Sequence, residues 1–450
     1  MTKNSSNLHI YKKRRDQIFD RLESHKDFVV MLSAPERIRN QDGEYLYRAD
    51  SSVYYLSGFA EPECAIVLWK EGTKKRSVIF VRPTDPVKEH WTGRRLGVDR
   101  AAKALGFDEA KNIHTLWEFV GEWLRTVPQG RAPKLWTNAF SHRENLQAAV
   151  DFVATFKDHP RKKILGFNGL LSTDTWMQND RTIKDKHEIE LMRKSSEINT
   201  KAHLELLKEI STYKNESQVA AKIEYEFKKR GASGNAYNSI CAAGTNATIL
   251  HYSDNNAPIK KNDLVLIDAG CEYEMYASDI TRTYPVSGKF TEAQRQVTEW
   301  VSKALLSCID IARPGKRLTD VHLEAQKVLA EGLIDMGILK GTVSKVLKEG
   351  SHLKYFTHGT SHFLGLDTHD WNQYMDPKDY GSVKLAPGMV ITVEPGLYFG
   401  EDDESVDAKW RGIGVRLEDD VLITKGKPEV LTAGLPRTVE EIEKFMAKHS

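Results

Sequence analysis

Four acidic residues stand at the edge of, or inside, apolar runs that read as strands. Asp268 ends "LVLID", Asp279 lies in "YASDIT", Glu394 in "VITVEPG" and Glu418 in "GVRLEDDV". Carboxylates are depleted in strands and are rarely buried unless they are paired or bind metal. One such residue reads as a strand end meeting solvent; four of them point to a shared purpose. Asp268 and Asp279 are eleven residues apart. A tight antiparallel pair therefore brings both onto one face of a sheet.

If the four converge in a buried site, their mutual repulsion is prohibitive without cations. Two divalent ions would balance four negative charges, and an imidazole could complete the set without altering that balance. Candidate imidazoles crowd residues 357–370, "THGTSHFLGLDTHD", where His358, His362 and His369 occur. The i, i+4 spacing of His358 and His362 matches a helical zinc-protease motif, but Gly359 stands where that motif has its Glu. A carboxylate-rich set with one imidazole suits manganese, with cobalt or iron as further candidates, better than a thiolate-type zinc site. Two-metal sites clamp a bridging hydroxide.

The chain has 450 residues and a formal net charge of +2. The length suggests two or three domains, and the near-neutral balance argues against a nucleic-acid partner. No stretch has the uninterrupted apolar length of a membrane helix, and the polar, basic start does not read as a secretory signal. The four cysteines, Cys64, Cys241, Cys271 and Cys308, are widely spaced and read as reduced thiols of a cytoplasmic protein. Strand-like and helical runs alternate up to about residue 178, predicting an N-terminal α/β domain over 1–178. From 179 to 450, helices and antiparallel strands predict an α+β domain. It opens with a long amphipathic helix from Arg181, on which Ile189, Met192, Ile198 and Leu206 share the apolar side.

Other chemistries lack support. There is no phosphate loop, "GIGVR" at Gly412 lacks the rest of a dinucleotide fingerprint, and "GTSHF" at Gly359 lacks the last Gly of a nucleophile elbow.

Five motifs in register, "LIDAGCEY", "YASDITRTYPV", "HGTSHFLGLDTHD", "TVEPGLY" and "RGIGVRLEDDV", resemble the pita-bread metallopeptidases, and among them the aminopeptidase P family. "RNQDGEYLYRADSSVYYLSGFAEPECAIVL", "HWTGRRLG" and "GTNATILHYSDN" extend the resemblance over nearly the whole chain. It implies an N-terminal α/β domain and an α+β pita-bread catalytic domain. It implies five metal ligands, Asp268, Asp279, His362, Glu394 and Glu418, holding two ions, with Mn2+ foremost and Co2+, Fe2+ or Zn2+ as alternatives. Substrates would be peptides with N-terminal Xaa-Pro, and the assembly a homodimer or homotetramer. His251 and His369 would hydrogen-bond the substrate carbonyl, and His358 would line the proline pocket. Tyr237 and Tyr398 are further substrate-side candidates near the site, although strand aromatics more often border such a site as packing residues. Trp91 would reach a neighbouring subunit.

The chemistry expected of such a site is attack of a metal-bridging hydroxide on the Xaa-Pro bond, with Glu394 moving the proton to the leaving proline nitrogen. Arg416, two residues before Glu418, would balance and orient the carboxylates. The family often has a Val-Gly-type continuation after "HD", whereas residues 371–374 here are bulky, "WNQY", and could reshape the subsite beyond proline. Two rival readings use the same fold: a prolidase restricted to Xaa-Pro dipeptides, with organophosphate hydrolysis as a side activity, and a metal-free binding protein.

Overall fold

The computed structural model describes residues 7–128, 132–155, 166–370, 374–375 and 381–449. The chain divides into two compact units, Met1–Asp180 and Arg181–Ser450.

The first unit is built on a six-stranded mixed sheet. Its strands are β1 (Asp27–Leu32), β2 (Ala65–Glu71), β3 (Lys74–Val81), β4 (Glu109–Asn112), β5 (Lys134–Thr137) and β6 (Leu170–Ser172), in the order β4-β3-β2-β1-β5-β6. The β1–β2 and β2–β3 pairs are antiparallel, whereas β3–β4, β1–β5 and β5–β6 are parallel. β1 is buried along its whole length, as expected of a central strand covered on both faces. One face packs on helices α1 (Leu116–Thr126) and α2 (Arg143–Thr155), through Val120, Trp123, Leu124, Ala149 and Phe152.

The second unit opens with helix α3 (Lys186–Glu209). The expected start at Arg181 is corrected. Arg181 and Thr182 end a preceding helix, Asp174–Thr182, and Asp185 caps α3 through a capping box with Glu188. Met192, Ile198 and Leu206 are buried on its inner face, and Ile189 is half-buried. Helices α4 (Glu216–Lys229), α5 (Glu292–Ile311) and α6 (Leu318–Asp335) join the same hydrophobic core.

Two bent hairpins form the heart of this unit. In the first, β9 (Leu264–Ala269) pairs antiparallel with β12 (Ile280–Pro285), alongside β8 (Ile240–Ala243). The same two chain segments then continue into another sheet as β10 (Cys271–Tyr273) and β11 (Tyr276–Ala277), next to β7 (Gly234–Asn235). Glu274 and Met275 turn this hairpin with φ of 47° and 67°, the left-handed pair that a two-residue turn requires. At the bend the two segments touch. A Cβ on Gly270 would lie 2.1 Å from the carbonyl oxygen of Ser278, so only glycine fits. In the second hairpin, β13 (Val390–Val393) pairs with β16 (Asp419–Leu422), beside β17 (Glu429–Val430). Those segments also change partners, forming the pair β14 (Gly396–Tyr398) and β15 (Gly414–Arg416).

Candidate active site

The four carboxylates sit where the hairpins bend. Asp268 is opposite Thr281 in the β9–β12 register, and Asp279 is two residues before Thr281, hence on the same face. Glu394 falls between β13 and β14, and Glu418 falls between β15 and β16. Only Asp268 lies inside a regular strand; the other three occupy the breaks, where the chain leaves one sheet for the next.

His362 reaches the group from residues 357–370, which are irregular rather than helical. That segment runs antiparallel to β13. Leu364 N–H donates to Val390 O (3.1 Å), Thr392 N–H to His362 O (2.9 Å) and Glu394 N–H to Thr360 O (2.8 Å). The i, i+4 spacing of His358 and His362 therefore has no helical meaning. The short ladder instead puts His362 beside Glu394, with Nε2 of His362 at 3.9 Å from Glu394 and 3.4 Å from Asp279. Asp279, His362 and Glu418 offer ligand atoms that all lie within 4.8 Å of one another.

These side chains line one cavity of about 690 Å3 whose walls all belong to the second unit. Asp268, Asp279, His362, Glu394 and Glu418 share its lining with Tyr237, His251, His358, His369 and Arg416. The ring of His369 packs edge-on against His362, with centroids 4.3 Å apart.

The donors around the carboxylates are specific. Arg416 donates through Nη2 to Asp268 (2.5 Å), through Nη1 to the hydroxyl of Tyr398 (3.0 Å) and through Nε to Thr281 (3.3 Å). Thr281 donates to Glu418 (2.6 Å). The Tyr237 hydroxyl lies 2.5 Å from both Asp268 and Asp279. Tyr237 and Tyr398 are thus corrected from packing residues to hydrogen-bonding ones. Tyr237 belongs to the connection between β7 and β8 rather than to a strand. Tyr398 spends its proton on Nε2 of His358 (2.8 Å), whose Nδ1–H donates to Gly359 O (2.6 Å). Burial together with Arg416 lowers the pKa of His358 to about 4, which favours the neutral ring and an accepting Nε2.

The electrostatics test whether this set fits cations. Burial pushes Glu418 well above its ordinary range, and Asp279, Glu394 and Asp268 add to the shift. Burial likewise raises Asp268, opposed by Arg416 and reinforced by Asp279. Glu394 rises to about 7, mainly through burial, against the pull of His362 and Arg416. Burial disfavours a charged His362, yet Asp279 and Glu394 overcome it and lift the imidazole to about 9. Without cations the acids are driven toward neutrality and the imidazole toward protonation. Divalent ions relieve both at once, so oxygen-rich donors with one nitrogen fit metal.

Trp91 stands on a short helix of the first unit, Pro86–Thr92, and is 82% exposed, so it is no core residue. Residues 371–373 of the bulky loop lie outside the described residues. Tyr374 stacks edge-on against Phe363 and accepts its N–H through the hydroxyl (3.2 Å). Sequence reasoning missed Thr281, although its place two residues after Asp279 on a strand was a usable signal. It also missed Asp420, whose carboxylate accepts the backbone N–H of Asp279 (3.2 Å) and the hydroxyl of Ser196 (3.0 Å).

Comparison with known proteins gives the family. Residues 190–425 match the model of metallopeptidase family M24, and residues 11–129 match the aminopeptidase P N-terminal domain. The Xaa-Pro aminopeptidase of Haemophilus influenzae is 37% identical, covering 97% of this chain and 96% of that protein. The Xaa-Pro aminopeptidase of Escherichia coli is 36% identical, covering 97% of each. The structure of Pseudomonas aeruginosa aminopeptidase PepP superposes with a TM-score of 0.92 at 36% identity, covering 98% of both chains. The chain belongs to metallopeptidase family M24, with the aminopeptidase P domain preceding the catalytic one, and is a metallo-exopeptidase of the Xaa-Pro aminopeptidase group.

Proposed function

We propose that this chain removes the N-terminal residue from peptides with proline in second position, using two divalent ions held by Asp268, Asp279, His362, Glu394 and Glu418. The observation that carries the reading is the convergence of these five side chains, from two hairpin bends and one loop, on a single cavity. When bound, the ions supply a nucleophile at neutral pH and positive charge opposite the developing oxyanion. Mn2+ suits the oxygen-rich set best.

Glu394 is the proton carrier. Its carboxylate stands in the cavity beside His362 (3.9 Å) and can accept a proton from the attacking water and deliver it to the proline nitrogen. That nitrogen has no N–H in the peptide, so recognition falls on ring shape. His358 suits the pocket for that ring because both its nitrogens are already engaged, leaving ring surface for an apolar partner. His251 and His369, which line the cavity and are exposed, would hydrogen-bond the scissile carbonyl. Arg416 orients Asp268 and Tyr398.

The exposed Trp91 supports a subunit contact in a homodimer or homotetramer. Among the described residues no helix is long and apolar enough to cross a membrane. All four cysteines are buried and unpaired, which favours a reducing, cytoplasmic setting.

The test is a substrate series: an Xaa-Pro dipeptide, an Xaa-Pro-Xaa tripeptide and a longer peptide, each with and without Mn2+. Turnover of the tripeptide that depends on Mn2+ is the expected result. Turnover of the dipeptide alone would show a prolidase, and absence of retained metal would show a binding protein.

A further inference from the structure

The segment that supplies His358 and His362 is gripped from outside by a histidine to which no role has been assigned. His322 lies on α6, half-buried, and its Nδ1 is 2.9 Å from the hydroxyl of Thr360. Its other nitrogen, Nε2, is 3.0 Å from the side-chain nitrogen of Gln326, one turn further along the same helix. An amide nitrogen is a donor only, so Nε2 accepts and Nδ1 carries the ring proton. With the Gln326 amide in this orientation, His322 is the tautomer that donates to Thr360.

Thr360 is 1% exposed and occupies a junction. Its carbonyl accepts the N–H of Glu394, and two residues on, His362 exchanges hydrogen bonds with Thr392 through its own N–H (3.1 Å) and carbonyl. His358 lies two residues before it. The ring of Phe356 adds a second grip, tilted 5.5 Å from the His322 ring on one side and edge-on to His358 at 5.1 Å on the other. Three side chains of the site therefore depend on the placement of one short strand-like segment. Among the described residues, that segment is tied to α6 by the side chains of His322, Thr360 and Phe356.

We infer that His322 is a positioning residue, which uses its Nδ1–H on Thr360 to set the segment carrying His358 and His362 against Glu394. This rests on the metal-ligand reading proposed above for His362 and Glu394. His322 does not line the cavity that holds His358 and His362. It acts by removing slack from the ladder between residues 360–364 and β13; hydrogen bonds made directly to ligands set metal affinity by about 10–100-fold, and this bond, which reaches the ligands through Thr360, is expected at the lower end of that range.

The experiment uses the full-length protein and measures Mn2+ affinity by titration, with kcat and KM on an Xaa-Pro-Xaa tripeptide in parallel. Asn presents an amide N–H near the Nδ1 position, Gln near the Nε2 position. His322→Asn is expected to bind Mn2+ and turn over like the parent. His322→Gln and His322→Leu should lose about tenfold in Mn2+ affinity and in kcat, with KM little changed. Thr360→Val should match His322→Leu, Thr360→Ser should keep the parent values, and the Leu/Val double variant should be no worse than either alone. Should His322→Leu not fold, the comparison of Thr360→Val with Thr360→Ser decides. Unchanged Mn2+ affinity in His322→Leu, an Asn variant as weak as the Leu variant, or additive losses would each overturn the inference. Failure of the parent to cleave the tripeptide, with the Mn2+ pattern intact, would instead remove the substrate reading and leave the positioning role standing.

Discussion

The hydroxyl of Tyr237 lies 2.5 Å from Oδ1 of Asp268, so a proposed metal ligand is oriented by a phenol from a loop outside the strand that presents it. The same hydroxyl meets Asp279 at 2.5 Å, and it ties the two aspartates of the first hairpin together. Tyr237→Phe keeps the ring and removes this tie. Mn2+ affinity is expected to fall roughly tenfold, within the range for outer hydrogen bonds to ligands, as measured by calorimetric titration. Unchanged affinity would show that the strands and Arg416 orient the pair without Tyr237.

Glu394→Gln preserves shape and removes the proton carrier. The variant is expected to retain metal, checked by elemental analysis, while kcat falls by about 10²–10⁴, the usual weight of a general acid–base group. Normal turnover would exclude Glu394 from proton transfer.

Asp370 is buried between Arg181 and Lys184, with Lys184 Nζ at 3.0 Å and an Arg181 contact on the other oxygen. Lys184→Met leaves a buried carboxylate short of one partner. Removing one member of such a group destabilises by about 3 kcal/mol, which a denaturant titration would detect. Because Asp370 follows His369 directly, tripeptide turnover should decline with it. A variant as stable as the parent would mean that Arg181 alone suffices.

His203 is fully buried, and burial lowers its pKa to about 3, with Arg282 acting the same way. Its folded pKa lies below the unfolded value of about 6.5, so between these limits the unfolded chain binds the extra proton. Stability from this residue is intact above pH 6.5 and is lost as pH falls toward 3, at up to about 1.4 kcal/mol per pH unit. His203→Leu should flatten the dependence of melting temperature on pH across that window. Parallel curves for the two proteins would disprove the linkage.

Chelation should abolish turnover, and readdition of Mn2+ should restore it while raising the melting temperature as ligand binding to the native state requires. Full activity after exhaustive chelation would contradict a metal-dependent reaction.

The acids of the site were legible in the sequence because charge inside an apolar run is conspicuous at short range. Asp268, Asp279, Glu394 and Glu418 each announce themselves without a partner. Their setting was less legible. Whether a run such as "VITVEPGLYF" is one strand or two depends on which strand pairs with each half, and that is decided by segments far along the chain. The break at Pro395 and the contact of Gly270 with Ser278 are tertiary facts. The same holds for Tyr237, whose ring reads as packing until its hydroxyl finds two carboxylates from a later hairpin. His322 and Thr360 are 38 residues apart, and nothing local links them. The start of α3 was a different kind of miss: the Asp185 and Glu188 capping signal was present, but the charged residues before it sustained the helical pattern.

Because Glu394 and Glu418 are fixed at the bend of their hairpin, the connection at its far end bears on them through its own anchoring. Beyond the Tyr398–Gly414 pair the ladder continues, with Phe399 N–H donating to Ile413 O (2.9 Å) and Gly412 N–H to Phe399 O (2.8 Å). Phe399, Val406 and Trp410 are buried in the core of the second unit. Residues 407–409, between two of these anchors, are exposed. A peptide tag grafted there would leave the anchors, and with them both acids, in place.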